Sequence, residues 1–424
     1  MQLSSTERRA LDGGEGRAVQ KAMELLIRYG EALGAERLVD TSNVAGVPGT
    51  SPGFLRPFYA HYSSPYEAVF SLFDLDSDEI VPVPPAQANT CHIQGGFDPE
   101  LWREQGGTVE AYESAARDDA ESARRGVKLL KTCTPHLAGS APSRGEHCAW
   151  MESSAVIYCN SVIGARTNIE GKESTAAAMI TGKIPYFGLH RPEERQPTHL
   201  VVPKVDVDSL MDWGLFGYYI GAAVGEGVPL VPGESLNPDA LAHKHFGAAA
   251  ACAGEIEMYH VSGNTPEAPI DFSFSDSLQI SYGKEERRSA YERLNASAKD
   301  PNVDFVMLGC PHYTIEQIAR VSSMLEGRRL NSGCRLWVFT SRVAKQQAER
   351  LGYARIIRDS GGLLMSDTCS AVGNVLPRGA KVAAFDSAKQ THYIPIVTGL
   401  QAHYGSLEQC VSAAINGRWQ GGGI

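Results

Sequence analysis

Apolar residues recur at helical spacing near the start of the chain. Ala18, Met23, Leu25, Leu26 and Tyr29 fall on one stripe within residues 5–36, behind a capping signal at Ser5 to Glu7. Gly30 and Gly34 close that helix. Residues 38–42 read as a short strand, and residues 45–53 as a turn-rich loop before the aromatic stretch that begins at Phe54. Residues 108–131 predict an exposed, charged helix. Between residues 149 and 160 the pattern predicts a helix over 149–155 and a strand over 156–160. The small-residue runs 214–231 and 248–253 predict tight backbone packing.

From about residue 291 the pattern becomes regular. An apolar run ends at Cys310, a helical period follows, and a second apolar run ends at Ser341. A second helix follows, then a third run ending at Cys369, then a fourth strand and loop through Ser387. The tail after Ile394 reads as at most a helix and a loop. Alternating strands and helices predict a doubly wound α/β lobe, whose ligands bind beyond the carboxyl ends of the strands. Cys310, Ser341, Cys369 and Ser387 fall there.

Residues 132–178 break every period. They hold Cys133, Glu146, His147, Glu152, Ser153, Ser154, Asn160, Ser161, Arg166, Asn168 and Glu170 among small residues and glycines. A second polar stretch, residues 85–96, follows prolines 82, 84 and 85. Proline cannot serve a central strand, so this stretch predicts an ordered loop carrying Asn89, Thr90, Cys91, His92 and Gln94. It reads equally as a functional loop or a hydrogen-bonded turn.

Composition narrows the picture. The net charge of −10 and the absence of a basic stripe argue against nucleic acid as partner. No apolar run approaches the length of a membrane span, and no secretory leader pattern opens the chain, so a membrane partner is not expected. Nine cysteines, an odd number, suit reduced thiols in a cytoplasm. Cys252, Cys334 and Cys410 sit in structural contexts, while Cys91, Cys148 and Cys159 are ambiguous. Cys133, Cys310 and Cys369 lie in turns that expose a thiolate. Three such thiolates suit an iron–sulfur cluster with one incomplete ligand set, although spacing alone favours buried thiols. Glu146, His147 and Glu152 offer acid–base groups. Arg166 with Asn168 offers a carboxylate clamp or, equally, a salt bridge to Glu170. Ser387, Lys389, His392 and Tyr393 form a late polar cluster.

The runs around Cys133–Gly171, Val261–Pro269, Val306–Ile318, Met365–Cys369 and Asp386–Pro395 resemble the aconitase X family, in the family's order. The resemblance spans roughly residues 5–395. It implies an iron–sulfur hydro-lyase of multi-lobed α/β/α architecture with its cluster at a lobe interface. The expected division is 1–290 for the N-terminal and central lobes and 291–424 for the doubly wound lobe and tail. Cys133, Cys310 and Cys369 are the implied ligands of a [2Fe–2S] or [4Fe–4S] cluster. Glu146, His147, Glu152 and Lys389 are the implied catalytic groups. Ser153, Ser154, Asn160, Ser161, Arg166, Asn168 and Glu170 are the implied contacts to a small carboxylate substrate. The small swivelling domain of the superfamily has no counterpart here, so a separate small subunit is expected, and the base belongs to it or to this chain. Cis-3-hydroxy-L-proline is the first substrate expectation and mevalonate 5-phosphate the second. A cluster-sensing RNA-binding regulator is the alternative of another class.

Overall fold

The computed structural model describes residues 1–46, 81–93, 95–233, 236–275, 278–373 and 375–421. Most of the loop expected over 45–53, the stretch from Phe54, and Gln94 lie outside the described residues.

The regular pattern of the C-terminal third forms one five-stranded parallel sheet. Its order is Leu363–Ser366, Arg335–Thr340, Phe305–Tyr313, Val382–Phe385, Gln401–Tyr404. The chain starts at the central strand, winds outward on one side, then crosses to the other. The strand order therefore reverses between Phe305–Tyr313 and Val382–Phe385, which opens a crevice at their carboxyl ends. Both faces of the sheet are covered, as parallel strands require. Val306, Leu308, Val338 and Ala384 pack on one side, and Met307, Trp337, Phe339 and Phe385 on the other.

Two expectations for this lobe are corrected. Residues after Ser387 are not a loop but the helix Ala388–Thr398, capped by the Ser387 hydroxyl accepting from the Gln390 amide. Pro395 inside it disguised the helical period. The tail contributes a fifth strand, Gln401–Tyr404, before the helix Leu407–Asn416. Pairing with Val382–Phe385 makes it a strand, which its own four residues do not announce.

The N-terminal part holds a parallel three-stranded sheet, ordered Asn89–His92, Asn43–Gly46, Cys148–Trp150. The helices Arg17–Ala32 and Lys172–Thr181 cover one face. The expected loop at 85–96 thus carries a strand at its centre, Asn89–His92, with Cys91 0% and His92 2% exposed. The prolines stand before it and set its entry. The assignments over 149–160 hold for 153–155 and fail on either side: Cys148–Trp150 is a strand, and the helix Ser153–Tyr158 runs on through the expected strand as a π turn over Cys159–Ile163. Tertiary packing overrides the β-branched residues there, because Ile157 seats against Gly247 of the helix Ala240–Ala253.

The middle part carries a four-stranded parallel sheet, His260–Val261, Pro229–Val231, His199–Pro203, Gln279–Tyr282. Its helices Leu210–Val224 and Ala240–Ala253 cross at backbone contact. A Cβ on Gly217 would meet the Phe246 carbonyl at 2.2 Å, so the small-residue run is a steric requirement. Among the described residues no helix is long and apolar enough to cross a membrane.

Candidate active site

Three loops carry the half-exposed thiols. Cys133, Cys310 and Cys369 are only partly buried, while the other six cysteines are buried. Each loop enters its cysteine through a left-handed residue. Lys131 (φ 45°) and Asp367 (φ 66°) are the non-glycine residues with positive φ among those described, and each stands two positions before a thiol. Gly309 (φ 97°) immediately precedes the third, where a Cβ would strike the Phe339 carbonyl at 2.1 Å. Strained backbone of this kind persists where the surroundings over-determine it. Asp367 is held by Arg342, whose Nε lies 3.1 Å from Oδ2. At Cys310 the ladder to Arg335–Thr340 shifts register between Leu308 and Tyr313, so Gly309–His312 bulge from the sheet.

Cys310 lies within electrostatic reach of both Cys133 and Cys369. Burial pushes Cys133 up to about 12, and the neighbouring Glu152 and Cys310 add to it. Burial does the same to Cys310, opposed by Lys389 and by a hydrogen bond with Ser387 and assisted by Cys369. The His312 amide donates to Cys133 Sγ at 3.2 Å. The His312 ring bridges Thr132 Oγ1 (2.9 Å at Nδ1) and the Thr368 carbonyl (3.0 Å at Nε2). Burial pushes this imidazole down to about 4, so it is neutral. Lys244 Nζ donates to the His312 carbonyl at 3.0 Å and to Gln317 Oε1 at 2.5 Å. Lys244 is 4% exposed, and burial pushes it down to about 8.

An ion pair completes this end of the site. Lys389, in the first turn of the helix capped by Ser387, contacts Glu152 Oε1 and donates to Ser153 Oγ at 3.0 Å. Ser154 Oγ donates to the same carboxylate at 3.1 Å. Burial alone would raise Glu152, but Lys389 outweighs it and holds the carboxyl below its ordinary value. Burial likewise opposes the Lys389 charge, and Glu152 prevails, so the ammonium stays above its usual range. Glu152 and Lys389 come from different lobes and are both nearly buried, at 12% and 13% exposed.

The rest of the expected polar set is elsewhere. Glu146, His147 and Arg166 stand at the amino end of the strand Cys148–Trp150, and Glu152 lies beyond its carboxyl end. Glu146 and Glu152 therefore flank opposite ends of this three-residue strand. At that amino end Glu146 accepts from Ser42 Oγ (2.6 Å) and the Ser143 amide (2.8 Å). His147 Nδ1 meets His190 Nδ1 at 2.9 Å, and Arg166 donates to the His190 carbonyl at 3.0 Å. Asn160 spends its whole amide on the framework. Its oxygen accepts from the Thr167 amide and Arg195, and its nitrogen donates to the Thr167 and Glu257 carbonyls. Ser161 Oγ accepts from the Tyr259 amide, and Asn168 bonds the Leu189 amide and Phe187 carbonyl. Glu170 is buried and takes the Tyr29 hydroxyl at 3.4 Å; it forms no ion pair with Arg166 among the described residues. The contacts given to Asn160, Ser161 and Asn168 are framework bonds. Ser153 and Ser154 are the members of the expected substrate set that the structure brings beside the thiols.

Residue-pattern reasoning missed His312 and Lys244. Both left a trace. His312 follows a cysteine–proline pair at a strand end, and Lys244 stands between two histidines in an otherwise apolar, alanine-rich helix.

A cavity of about 790 Å³ opens beside the carboxyl ends of Phe305–Tyr313, Val382–Phe385 and Gln401–Tyr404. Tyr313 and Asp386 line it, with Asp208, Asp239, Glu316 and Glu408. Its one arginine, Arg320, is paired with Glu408. That acidic cleft repels a carboxylate and contains no thiol, so the chemistry is assigned to the thiol-bearing crevice rather than to this hollow.

Among the described residues no three His, Cys, Asp or Glu side chains converge on a single metal ion. The three thiols suit a polynuclear group, whose irons are ligated separately. Their part exposure, strained loop entries and hydrogen-bond donors to sulfur all fit such a group.

Aconitase X family models match as first domain over residues 1–193, second domain over 197–292 and third domain over 303–416. A phosphomevalonate dehydratase large subunit of Methanothermobacter thermautotrophicus is 39% identical, covering 95% of this chain and 96% of its own length. A cis-3-hydroxy-L-proline dehydratase of Pseudomonas aeruginosa is 31% identical, covering 98% of this chain and 70% of its own. The crystal structure of Thermococcus kodakaraensis aconitase X in its holo-form matches with a TM-score of 0.80 and 29% identity, over 98% of this chain and 100% of that one. The chain belongs to the aconitase X family, whose named members here are dehydratases. The name "large subunit" among its relatives implies a small-subunit partner.

Proposed function

We propose that this chain is the large subunit of a hydro-lyase that removes water from a small 3-hydroxycarboxylate, cis-3-hydroxy-L-proline, yielding Δ1-pyrroline-2-carboxylate. The observation that carries the reading is the placing of Cys133 and Cys310, with Cys369 beside Cys310, around the Glu152–Lys389 pair at the strand-order reversal. An imino acid is a zwitterion, and the pair offers one charge of each sign. Lys389 is suited to the substrate carboxylate and to charge that builds on it as the α-proton leaves. Glu152 and Ser153 are suited to the ring nitrogen. Cys133, Cys310 and Cys369 are the residues that would hold a [2Fe–2S] or [4Fe–4S] cluster, and when bound it supplies a Lewis-acid iron for the departing hydroxyl. The α-proton's base is assigned to the small subunit, because the acid–base candidates Glu146 and His147 are bonded at the far end of the strand.

The charge balance of the Glu152–Lys389 pair favours a net-neutral substrate. A second reading, mevalonate 5-phosphate, draws support from the 39% identity and matching length of the Methanothermobacter relative. Both substrates are 3-hydroxycarboxylates, so the elimination is the same and only the recognition differs. The test is turnover of each by the chain purified with its small subunit. Turnover of the imino acid alone supports the first reading; turnover of the phosphate alone overturns it.

A further inference from the structure

His312 spends every polar atom it has on joining the thiol-bearing loops. Its amide reaches the sulfur of Cys133 at 3.2 Å. Its Nδ1 meets Thr132 Oγ1, beside Cys133, at 2.9 Å. Its Nε2 meets the carbonyl of Thr368, beside Cys369, at 3.0 Å. Its carbonyl accepts from Lys244 of the middle lobe at 3.0 Å. The residue itself stands two positions after Cys310, in the bulge that leaves the sheet.

The hydrogens follow from the partners. A carbonyl can only accept, so Nε2 carries the proton toward Thr368. Nδ1 is then an acceptor, and the Thr132 hydroxyl donates to it. Thr132 Oγ1 in turn accepts from the Thr134 amide at 3.1 Å, which fixes the direction of the chain of bonds. His312 is 3% exposed, so each bond is shielded from water, and leaving either ring partner unmade is costly.

We propose that His312 is the positioning residue that holds the Cys133, Cys310 and Cys369 loops in one arrangement before any cluster binds. It ties the first lobe, the middle lobe and two loops of the third at one point. This rests on the cluster reading given above. It extends that reading by assigning the pre-set geometry to a single imidazole rather than to the metal.

The test uses the full-length chain with His312→Leu, His312→Gln and Thr132→Val. The apoprotein is treated with a short bifunctional thiol reagent, and bridged cysteines are mapped by mass spectrometry. Iron and sulfide per chain are measured after anaerobic reconstitution, with the visible absorption. His312→Leu should lower bridging among Cys133, Cys310 and Cys369 by about tenfold or more, the scale of two lost buried hydrogen bonds, and lower iron content with it. His312→Gln, whose amide can still donate toward Thr368, should recover most of both. Thr132→Val removes only the Nδ1 partner and should fall between, which keeps the test readable if the leucine variant fails to fold. Wild-type bridging and iron content in the leucine variant would overturn the proposal, as would a glutamine variant no better than leucine in chains that melt normally. A wild-type chain that bridges these thiols but never takes up iron would sink the cluster reading while leaving the positioning role standing.

Discussion

The strand Cys148–Trp150 has chemically similar side chains at its two ends and opposite uses for them. At the amino end, Glu146, His147, Arg166 and their partners Ser42, Ser143 and His190 all belong to the first lobe. They bond one another and the local backbone. At the carboxyl end, Glu152 meets Lys389 of the third lobe, and the thiols arrive on three separate loops. Groups matched within one lobe hold that lobe together. Groups matched across lobes are positioned by tertiary structure and face a crevice. The side-chain inventory of residues 132–178 does not distinguish the two cases; the direction of the parallel strand does, because the crevice lies at carboxyl ends.

The sharpest way to break the comparison is to remove a thiol. Cys310→Ser should abolish iron binding and lower turnover by about a thousandfold or more, the scale of losing Lewis-acid assistance worth several kcal/mol. Elemental analysis with steady-state rates checks it. Retained iron and activity would remove the carboxyl end from the chemistry altogether.

Lys389→Met and Glu152→Gln come next. Each should cost roughly a hundredfold in kcat, and the double variant little more than either single one, because the pair acts as a unit. Each single change also leaves a buried charge unpaired, with roughly 3 kcal/mol of stability lost. The pH dependence follows from the direction of the Glu152 shift. Its carboxyl is held below the ordinary value of 4.5, so the pair's contribution is complete above 4.5 and is lost as pH falls through the lowered value. Denaturant melts of the double variant should lack that acid-side loss.

The amino end should behave differently under the same treatment. Arg166→Lys and Glu146→Gln should change kcat by less than about threefold while costing about 1 kcal/mol each, the scale of a hydrogen bond. A large fall in kcat with unchanged KM in either variant would erase the distinction between the two ends.

The doubly wound lobe was legible because its central strands are continuous apolar runs, as burial on both faces demands. The strands Asn89–His92 and Gln401–Tyr404 were not, since four mostly polar residues become a strand only beside a partner. The second half of the helix Ser153–Tyr158 read as a strand because Val156 and Ile157 prefer one, and packing on the helix Ala240–Ala253 overrode that preference. In the site, the turn contexts of Cys133, Cys310 and Cys369 set them apart from Cys252, Cys334 and Cys410, while Cys91, Cys148 and Cys159 stayed ambiguous until the structure buried them. The framework roles of Asn160, Ser161 and Asn168 were not, because an amide or hydroxyl that bonds backbone looks the same in one dimension as one that binds substrate. His312 and Lys244 escaped for a related reason: their function is to be buried in the right place, and burial is a property of the fold.

Glu170 gives the finest discrimination, because the argument predicts a change in stability with none in turnover. The carboxyl is 2% exposed, and burial pushes it up to about 7, with nearby Glu257 adding to the effect of burial. In the unfolded chain it titrates near 4.5. Below 4.5 both states are protonated and the group costs nothing. Between 4.5 and about 7 the folded state keeps a proton that the unfolded state has released, so stability falls as pH rises through that window. Above about 7 the full cost remains. Glu170→Gln keeps an acceptor for the Tyr29 hydroxyl and removes the ionisation. The variant should therefore match the wild type near pH 4.5 and exceed it at pH 8, by an order of 1–3 kcal/mol. Chemical denaturation at the two pH values measures this, and kcat should be unaltered. A fall in kcat with no gain in stability would return Glu170 to the substrate pocket and move the catalytic boundary past the framework residues around it.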